Sequence, residues 1–507
     1  MTPATAPYRS GQRAGRDGFA QVLHAEWTKF RTVRGWVAGP VAAALMMVLV
    51  AALAGISSDQ RGGSAVPVGP GGEPVTDSFY LVHRPLAANG SITVSVSALS
   101  DYIPGNLRPV IVPWAKAGLI ITASTRPGSP YAAIMVTSSH GVRMQYDYVN
   151  DTAGLPGPVS AASVRWLRLD RSGDAVTGYD SADGAHWIKV GTVHVAGLGP
   201  AVQGGLFVAS PDSVQGTGTA TSVATAVFGD LRIEGDWTRD SWAGGQVGAG
   251  SSGSGGHPAF DPGTFTQSGG TFTVTGTGDI APAVRATLPG GGTIDAILTG
   301  TVAALIAVIV VGTRFITAEY RDDMIRVTLA ASPRRGRVLA AKAIVLGSVT
   351  FAAGLAGAVV AVPLGERLAR ADGVYLFPAT PLVLLRVETG TAALLAAASI
   401  LALAVGTLFR RGAGAVATVI AAIVLPYILA AQIPFIPAGV SDWLTRVTPA
   451  AAFAVQQTLV PYHQVMSVYT PYGGYYPLRP WAGLAVLAGY AVVALALAAV
   501  LLRNRDA

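Results

Sequence analysis

A dense cluster of charge, Ala318 to Lys342, stands between two long apolar runs, and this arrangement constrains the fold more than any other feature of the chain. Ile294–Ile316 and Leu339–Val362 each approach the roughly 20 apolar residues that a helix needs to cross a ~30 Å hydrocarbon layer. The charged segment between them belongs in water, so it reads as a turn joining two membrane helices. Seven Lys/Arg against three acids from Arg314 to Lys342 put that turn on the cytoplasmic side by the positive-inside bias.

Four further runs, Trp36–Ile56, Thr389–Phe409, Gly414–Ile436 and Trp481–Leu502, complete six spans and return both termini to one side. With 51% hydrophobic and 12% charged residues, the composition is that of a membrane protein. The pieces assigned to the cytoplasm are residues 1–35, the 314–342 turn, Arg410-Arg411, and Arg503, Arg505 and Asp506; they total +11. Residues 58–293 instead hold 13 basic against 17 acidic side chains. The basic excess therefore flanks apolar spans, where it orients helices and meets anionic lipid headgroups, and no nucleic-acid partner is needed to explain it. Ala52-Leu53-Ala54 resembles a signal-peptidase site, but the apolar run before it is longer than a signal core, which favours an uncleaved span over residues 36–57. The chain has no cysteine, hence no disulfides and no thiolate metal site.

Ahead of the first span, Phe19, Leu23, Glu26, Trp27, Phe30 and Val33 follow helical spacing, with Lys29, Arg31 and Arg34 toward the membrane. This predicts an amphipathic helix lying in the cytoplasmic interface, with Trp27 and Phe30 in the headgroup boundary. Between the first two spans the period changes from helical to alternating. Ser91–Val96, Gly141–Tyr148 and Val164–Leu169 read as strands, and Ser172-Gly173 and Asp183-Gly184 read as turns. Many short strands without intervening helices predict an antiparallel β-sandwich over 74–235. Residues 236–293 read as a Gly/Ser-rich linker around Gly244–Gly256 followed by a small β piece at Gly270–Thr275.

Two ordered sets of motifs resemble known families. Glu319-Tyr320-Arg321, Ile325 to Leu329, Ala331 to Arg337 and Ala341-Lys342 resemble the first cytoplasmic loop of bacterial ABC-2 type transporter permeases, and His24 to Thr32 resembles the helix before the first span in that family. The likeness spans roughly 18–57 and 294–507. In the insert, Asp77-Ser78-Phe79-Tyr80, Trp114 to Ile120, Trp166 to Gly173, Tyr179 to Trp187 and Gly205 to Val208 are similar to concanavalin-like (laminin-G-like) jelly-roll domains appended to bacterial glycosidases. The resulting fold class is an α-helical polytopic membrane domain of six transmembrane helices, ABC-2 type, carrying an all-β jelly-roll ectodomain between its first and second spans.

What the first resemblance implies is the permease subunit of an exporter, a homodimer or heterodimer in a bacterial plasma membrane. Both termini would be cytoplasmic and residues 58–293 extracytoplasmic. In that family the loop, here 317–338, docks on a separate ATPase, which makes Glu319, Arg321, Arg326, Thr328, Arg334 and Arg335 the coupling residues and Glu26, Trp27, Lys29, Phe30 and Arg31 those of the interfacial helix. The chain's own lysines agree with a separate motor. A P-loop places its Lys after Gly, and Lys29, Lys116, Lys189 and Lys342 all follow other residues. ATP and Mg²⁺ are therefore expected on the partner, with no catalytic residue and no metal site on this chain, since the seven histidines lack metal-ligand spacing.

The jelly-roll resemblance makes an extracellular glycan a candidate partner. Asp183 and Trp187, in Ser181-x-Asp183-Gly184-x-x-Trp187, resemble a shortened Asp-box, a structural turn in the first instance and a glycan contact in the second. Arg386 and Glu388 sit at the outer edge of the fourth span, where snorkelling or mutual pairing accounts for them. The scarcity of other ionisable residues in the spans argues against a proton-coupled carrier. Asp442 to Arg446 and the Tyr- and Pro-rich 461–480 resemble interfacial or re-entrant segments. The rival reading is a membrane-anchored carbohydrate-binding receptor or surface protein.

Overall fold

The computed structural model describes residues 18–56, 66–106, 111–215, 218–248, 263–288, 291–321 and 335–504. Its helical part comprises α1 (Phe19–Thr32), α2 (Arg34–Ile56), the single turn α3 (Ile294–Ile297), α4 (Thr301–Arg321), α5 (Arg335–Ala371), α6 (Pro381–Phe409), α7 (Gly412–Ala431), α8 (Ala438–Val447) and α9 (Pro480–Asn504). Among the described residues six helical segments are long and apolar enough to cross a membrane: α2, α3 with α4, α5, α6, α7 and α9. They correspond one for one to the six runs read from the sequence. The largest difference is α5, which at 37 residues is about 55 Å long and runs two turns past Val362 through Pro363. That extension was hidden because it is charged, carrying Glu366, Arg367 and Arg370, with Glu366 and Arg370 paired at 3.1 Å.

Apolar side chains of α2, α4, α5, α6, α7 and α9 form one core, into which residues Pro449–Gln456 fold back as a buried 3₁₀ segment after the amphipathic α8. Without a hydrophobic effect to drive helices together in lipid, close approach needs small residues. A Cβ on Gly312 of α4 would lie 2.5 Å from the Ser399 carbonyl of α6. One on Gly357 of α5 would lie 3.1 Å from Ala44 of α2. Within this core Gln456 donates to Thr301 at 3.0 Å and to Thr391 at 3.1 Å, a polar contact tying the 3₁₀ segment to α4 and α6.

The segment between α2 and α3 forms a β-sandwich whose 13 strands are hydrogen-bonded into one antiparallel, nearly closed system. Strand Phe79–Tyr102 is its spine. Its first half pairs with Val202–Ala209, and its second half bends to pair with Arg165–Ser172 and Val223–Trp237. Alternate side chains, among them Ile92, Val94, Val96, Leu167, Leu169, Leu206 and Val208, point into a common core and are almost wholly buried.

Within 236–293 the described residues differ from the linker and separate β piece read from sequence, while 249–262, which hold most of the predicted Gly/Ser-rich linker, lie outside the described residues. Ala243–Val247 pairs with Phe79–His83, and the hairpin Gly263–Ser268/Thr271–Gly276 pairs with Val223–Trp237, so both belong to the main sheet. Gly244 and Gly245 had marked the stretch as a linker, yet Gly244 is required by packing: a Cβ there would lie 2.4 Å from Phe265. The β-region thus extends past residue 235 to at least 282.

Its two ends leave together. Val75–Asp77 pairs antiparallel with Ile280–Pro282, making a two-stranded neck above the helices. Further contacts brace the neck and the adjoining end of the β-region. Gly292 bridges Leu376 beyond α5. In the 457–479 segment, Gln464 donates to the Val149 carbonyl at 3.1 Å, His463 Nε2 lies 3.1 Å from Asp151 Oδ2, and Val465 packs on Ala281 and Val284.

Candidate functional site

At the end of the bundle away from the β-region, three segments distant in sequence converge on one buried lysine. α5 begins at Arg335, and Lys342 lies two turns in, on the face turned toward α1 and α4. Its Nζ is 2.7 Å from Glu26 Oε2 of α1 and 2.7 Å from Glu319 Oε1 in the last turn of α4. Lys29, one turn beyond Glu26, reaches the same carboxylates at 3.1 and 3.2 Å. Lys342 is wholly buried, and Glu26 and Glu319 are 2% and 1% exposed. Two ammonium and two carboxylate groups cancel, which makes burial tolerable: an unpaired charge here would face several kcal/mol of desolvation, roughly 3–5. The ring of Phe315 sits 4.4 Å from Lys342 Nζ and adds a cation–π contact.

Aromatic packing fixes α1 to the same place. Phe30 meets Phe315 edge-on at 5.4 Å, and Trp36 meets Phe315 at 4.9 Å. Phe30 is therefore buried in protein and does not occupy the headgroup boundary expected of it, whereas Trp27 and Arg31 remain exposed. Burial alone would lower the pKa of Lys29, but the charges and hydrogen bonds of Glu26 and Glu319 outweigh it and hold the ammonium above its ordinary value.

The cluster bears directly on the predicted coupling residues, since Glu319 and Lys342 flank the loop from either side. Glu319 is a member of the cluster and lies inside the protein, though its Oε2 has no hydrogen-bond partner among the described residues. Arg335 donates to the Leu502 carbonyl at 2.6 Å, joining the start of α5 to the end of α9. Arg326, Thr328 and Arg334 lie outside the described residues, as does the side chain of Arg321. Beside them Arg410, in the left-handed conformation that ends α6, lies 5.4 Å from the ring of Tyr320. Lys342, the centre of this cluster, is the residue that the sequence did not single out. Its signal was a lone ammonium inside an apolar helix.

At the outer edge Arg386 donates to the Gln457 carbonyl, so a backbone oxygen is its described partner and Glu388 is not. The β-region holds the second predicted site. Asp183 Oδ1 accepts from the backbone N–H groups of Ala185 and His186 at 2.9 and 2.8 Å, and Ser181 Oγ accepts from Gly184 N at 3.0 Å. Those bonds, with His186 at 2.7 Å from Oδ2 as the largest contributor, push the Asp183 carboxyl well below the usual range. Asp183 is thus the turn-forming residue. The ring against the turn is Trp166, which a Cβ on Gly184 would meet at 2.7 Å, and Gly184 has φ +74°. Trp166, Trp187, Arg168, Arg232 and Glu234 border a recess of about 380 Å³ beside it.

The neck carries buried charge of its own. Lys116, wholly buried, holds Asp279 at 2.6 Å and the Ile280 carbonyl at 3.3 Å. Asp77, across the neck, accepts from Tyr148 Oη at 2.6 Å and from Gly128 N at 2.8 Å through the same oxygen. Its other oxygen has no hydrogen-bond partner among the described residues, and burial raises the carboxyl to about 6. No group of three or more metal-ligating side chains is present among the described residues.

No family model matches the chain, and no curated protein matches it. Among solved structures, scytalido-glutamic peptidase with a transition state analog inhibitor aligns at a TM-score of 0.27 and 9% identity, over 39% of this chain and 98% of that one. The GH43 protein BlXynB from Bacillus licheniformis aligns at 0.20 and 15% identity over 29% of this chain and 27% of that one. The alginate lyase from Klebsiella pneumoniae aligns at 0.17 and 10% identity over 29% and 61%. At such scores these similarities carry no argument about this chain.

Proposed function

We propose that the chain is the membrane subunit of an ABC-2 type exporter, dimeric, driven by a separate cytosolic ATPase that docks on residues 317–338. The observation that supports this most is the buried cluster of Lys342, Glu26, Glu319 and Lys29. It locks the amphipathic helix and both helices flanking the loop into one unit, which is what transmitting a push on the loop to the spans requires. The charge distribution orients this end toward the cytoplasm and the β-region outward. In this reading the β-region is a jelly roll capping the exit side, and the recess between Trp166 and Trp187 is the surface on which a glycan would stack.

Affinity purification of the tagged chain from its native membrane tests the reading. A P-loop ATPase should co-purify and be lost when Arg326→Glu and Arg334→Glu are combined, because charge reversal in a docking patch weakens association. Recovery of the intact six-span chain with no ATPase in the wild type would remove the exporter reading and leave the anchored receptor.

A further inference from the structure

We propose that the loop end of the bundle carries a binding site for an anionic phospholipid, formed by an apolar groove between α5, α6 and α9 and closed at headgroup level by Arg337 and Arg503. The inference rests on the six spans and is independent of the exporter reading. The groove, about 480 Å³, is lined by Ile344, Ser348 and Phe351 of α5, Ala396 and Ile400 of α6, and Leu495 of α9. Small residues make it concave. Gly347 forms part of its wall, and a Cβ there would lie 2.9 Å from Ile400. From Ala343 to Phe351 the α5 wall runs about 12 Å, enough to seat part of an acyl chain.

What distinguishes this groove from ordinary lipid-facing surface is the charge above it. On α5, Arg337, Ala340, Ile344, Ser348 and Phe351 follow one another at three- and four-residue intervals, so Arg337 continues the stripe that walls the groove. On α9, Leu495, Ala499 and Arg503 do the same at intervals of four. The two arginines stand about 10 and 12 Å along their helices from Ile344 and Leu495, on the same side of the groove. Arg503 reaches across to α5: its Nη2 lies 3.7 Å from where a Cβ on Gly336 would be. No carboxylate pairs with Arg337 or Arg503 among the described residues, whereas a lipid phosphate at that level would meet both. An apolar slot topped by two guanidinium groups complements a chain with an anionic head, and a zwitterionic lipid satisfies it less well.

The test loads the full chain with an equimolar mixture of phosphatidylglycerol and phosphatidylcholine of identical acyl chains, purifies it in detergent, and quantifies retained lipid by mass spectrometry. The expected result is a roughly 10- to 30-fold preference for phosphatidylglycerol, from about 1 kcal/mol per arginine. The ratio should fall to about one in Arg337→Gln/Arg503→Gln. A second variant, Ser348→Trp, fills the groove while keeping both arginines and should lose the retained lipid, which separates a groove site from simple headgroup attraction. Equal retention of the two lipids by the wild type, or unchanged preference in both variants, would overturn the proposal. So would efficient disulfide cross-linking of Ser348→Cys to a second copy in this otherwise cysteine-free chain, since the groove would then be occupied by protein.

Discussion

The chain buries a lysine completely in each of its two regions, and the two sites solve the same electrostatic problem differently. In the β-region Lys116 meets one carboxylate, Asp279, within a structure already closed by strand pairing. In the helical region Lys342 meets two, Glu26 and Glu319, on separate helices, and Lys29, 35% exposed, completes the neutralisation from the edge. The first is a one-to-one clasp and fixes a neck. The second is a shared junction that ties together segments no backbone ladder joins, with one member open to water. A closed neck and a junction that moves as one unit are what the proposed outer domain and coupling end would respectively need.

Removing each lysine is the strongest way to break the comparison. Lys342→Ala leaves two buried carboxylates facing each other, and the expected loss is about 5 kcal/mol, read as a large fall in thermal midpoint in detergent with release of α1 to proteolysis. A loss of less than about 1 kcal/mol would mean that water already reaches the cluster. Lys116→Met strands one carboxylate and should cost about 3 kcal/mol, with the damage confined to the β-region. The double variant Lys116→Met/Asp279→Leu should recover most of that loss, because an apolar pair of similar volume replaces a clasp well. Failure to recover would assign the pair a role beyond closing the neck.

A smaller effect separates the regions by pH. Asp77 has a folded pKa of about 6 against an ordinary value of 3.8, so between these limits the folded chain holds a proton that the unfolded chain has released. Its contribution to stability is complete below about pH 3.8 and is lost as pH rises to about 6, a change of at most about 3 kcal/mol. Thermal unfolding of the β-region should therefore show a falling contribution across this window, flattened in Asp77→Asn, whose carbonyl can still accept from Tyr148 and Gly128. An identical slope in the variant would shift the origin to half-buried acids of the β-region whose carboxyls burial also raises, such as Asp147 and Asp212.

These contrasts also show what was legible in the chain beforehand. All six apolar helices could be located because hydropathy is a local property, and the strands around Ser91–Val96 and Val164–Leu169 could be read because a half-buried sheet forces alternation. Ala243–Val247 could not, since two glycines erase the alternation, and the reason for Gly244 is a ring, Phe265, supplied from elsewhere. The ion cluster was hidden in the same way: Glu26 and Glu319 look like solvated charge in their own segments, and Lys342, alone in an apolar run, shows no partner near it in sequence. Only the fold brings them within 2.7 Å of one another's partners. Trp166 likewise gave no sign that its ring would sit against the Asp183 turn.

The proposed coupling requires the β-region and the 317–338 loop to lie on opposite sides of a membrane. Single-cysteine labelling tests this directly, because the chain has no native cysteine to interfere. With an impermeant maleimide, Ser172→Cys, at an exposed turn of the β-region, should react in intact cells and Ser332→Cys only after permeabilisation. Labelling of Ser332→Cys in intact cells, or protection of Ser172→Cys there, would contradict the six-span arrangement and with it the proposed coupling end.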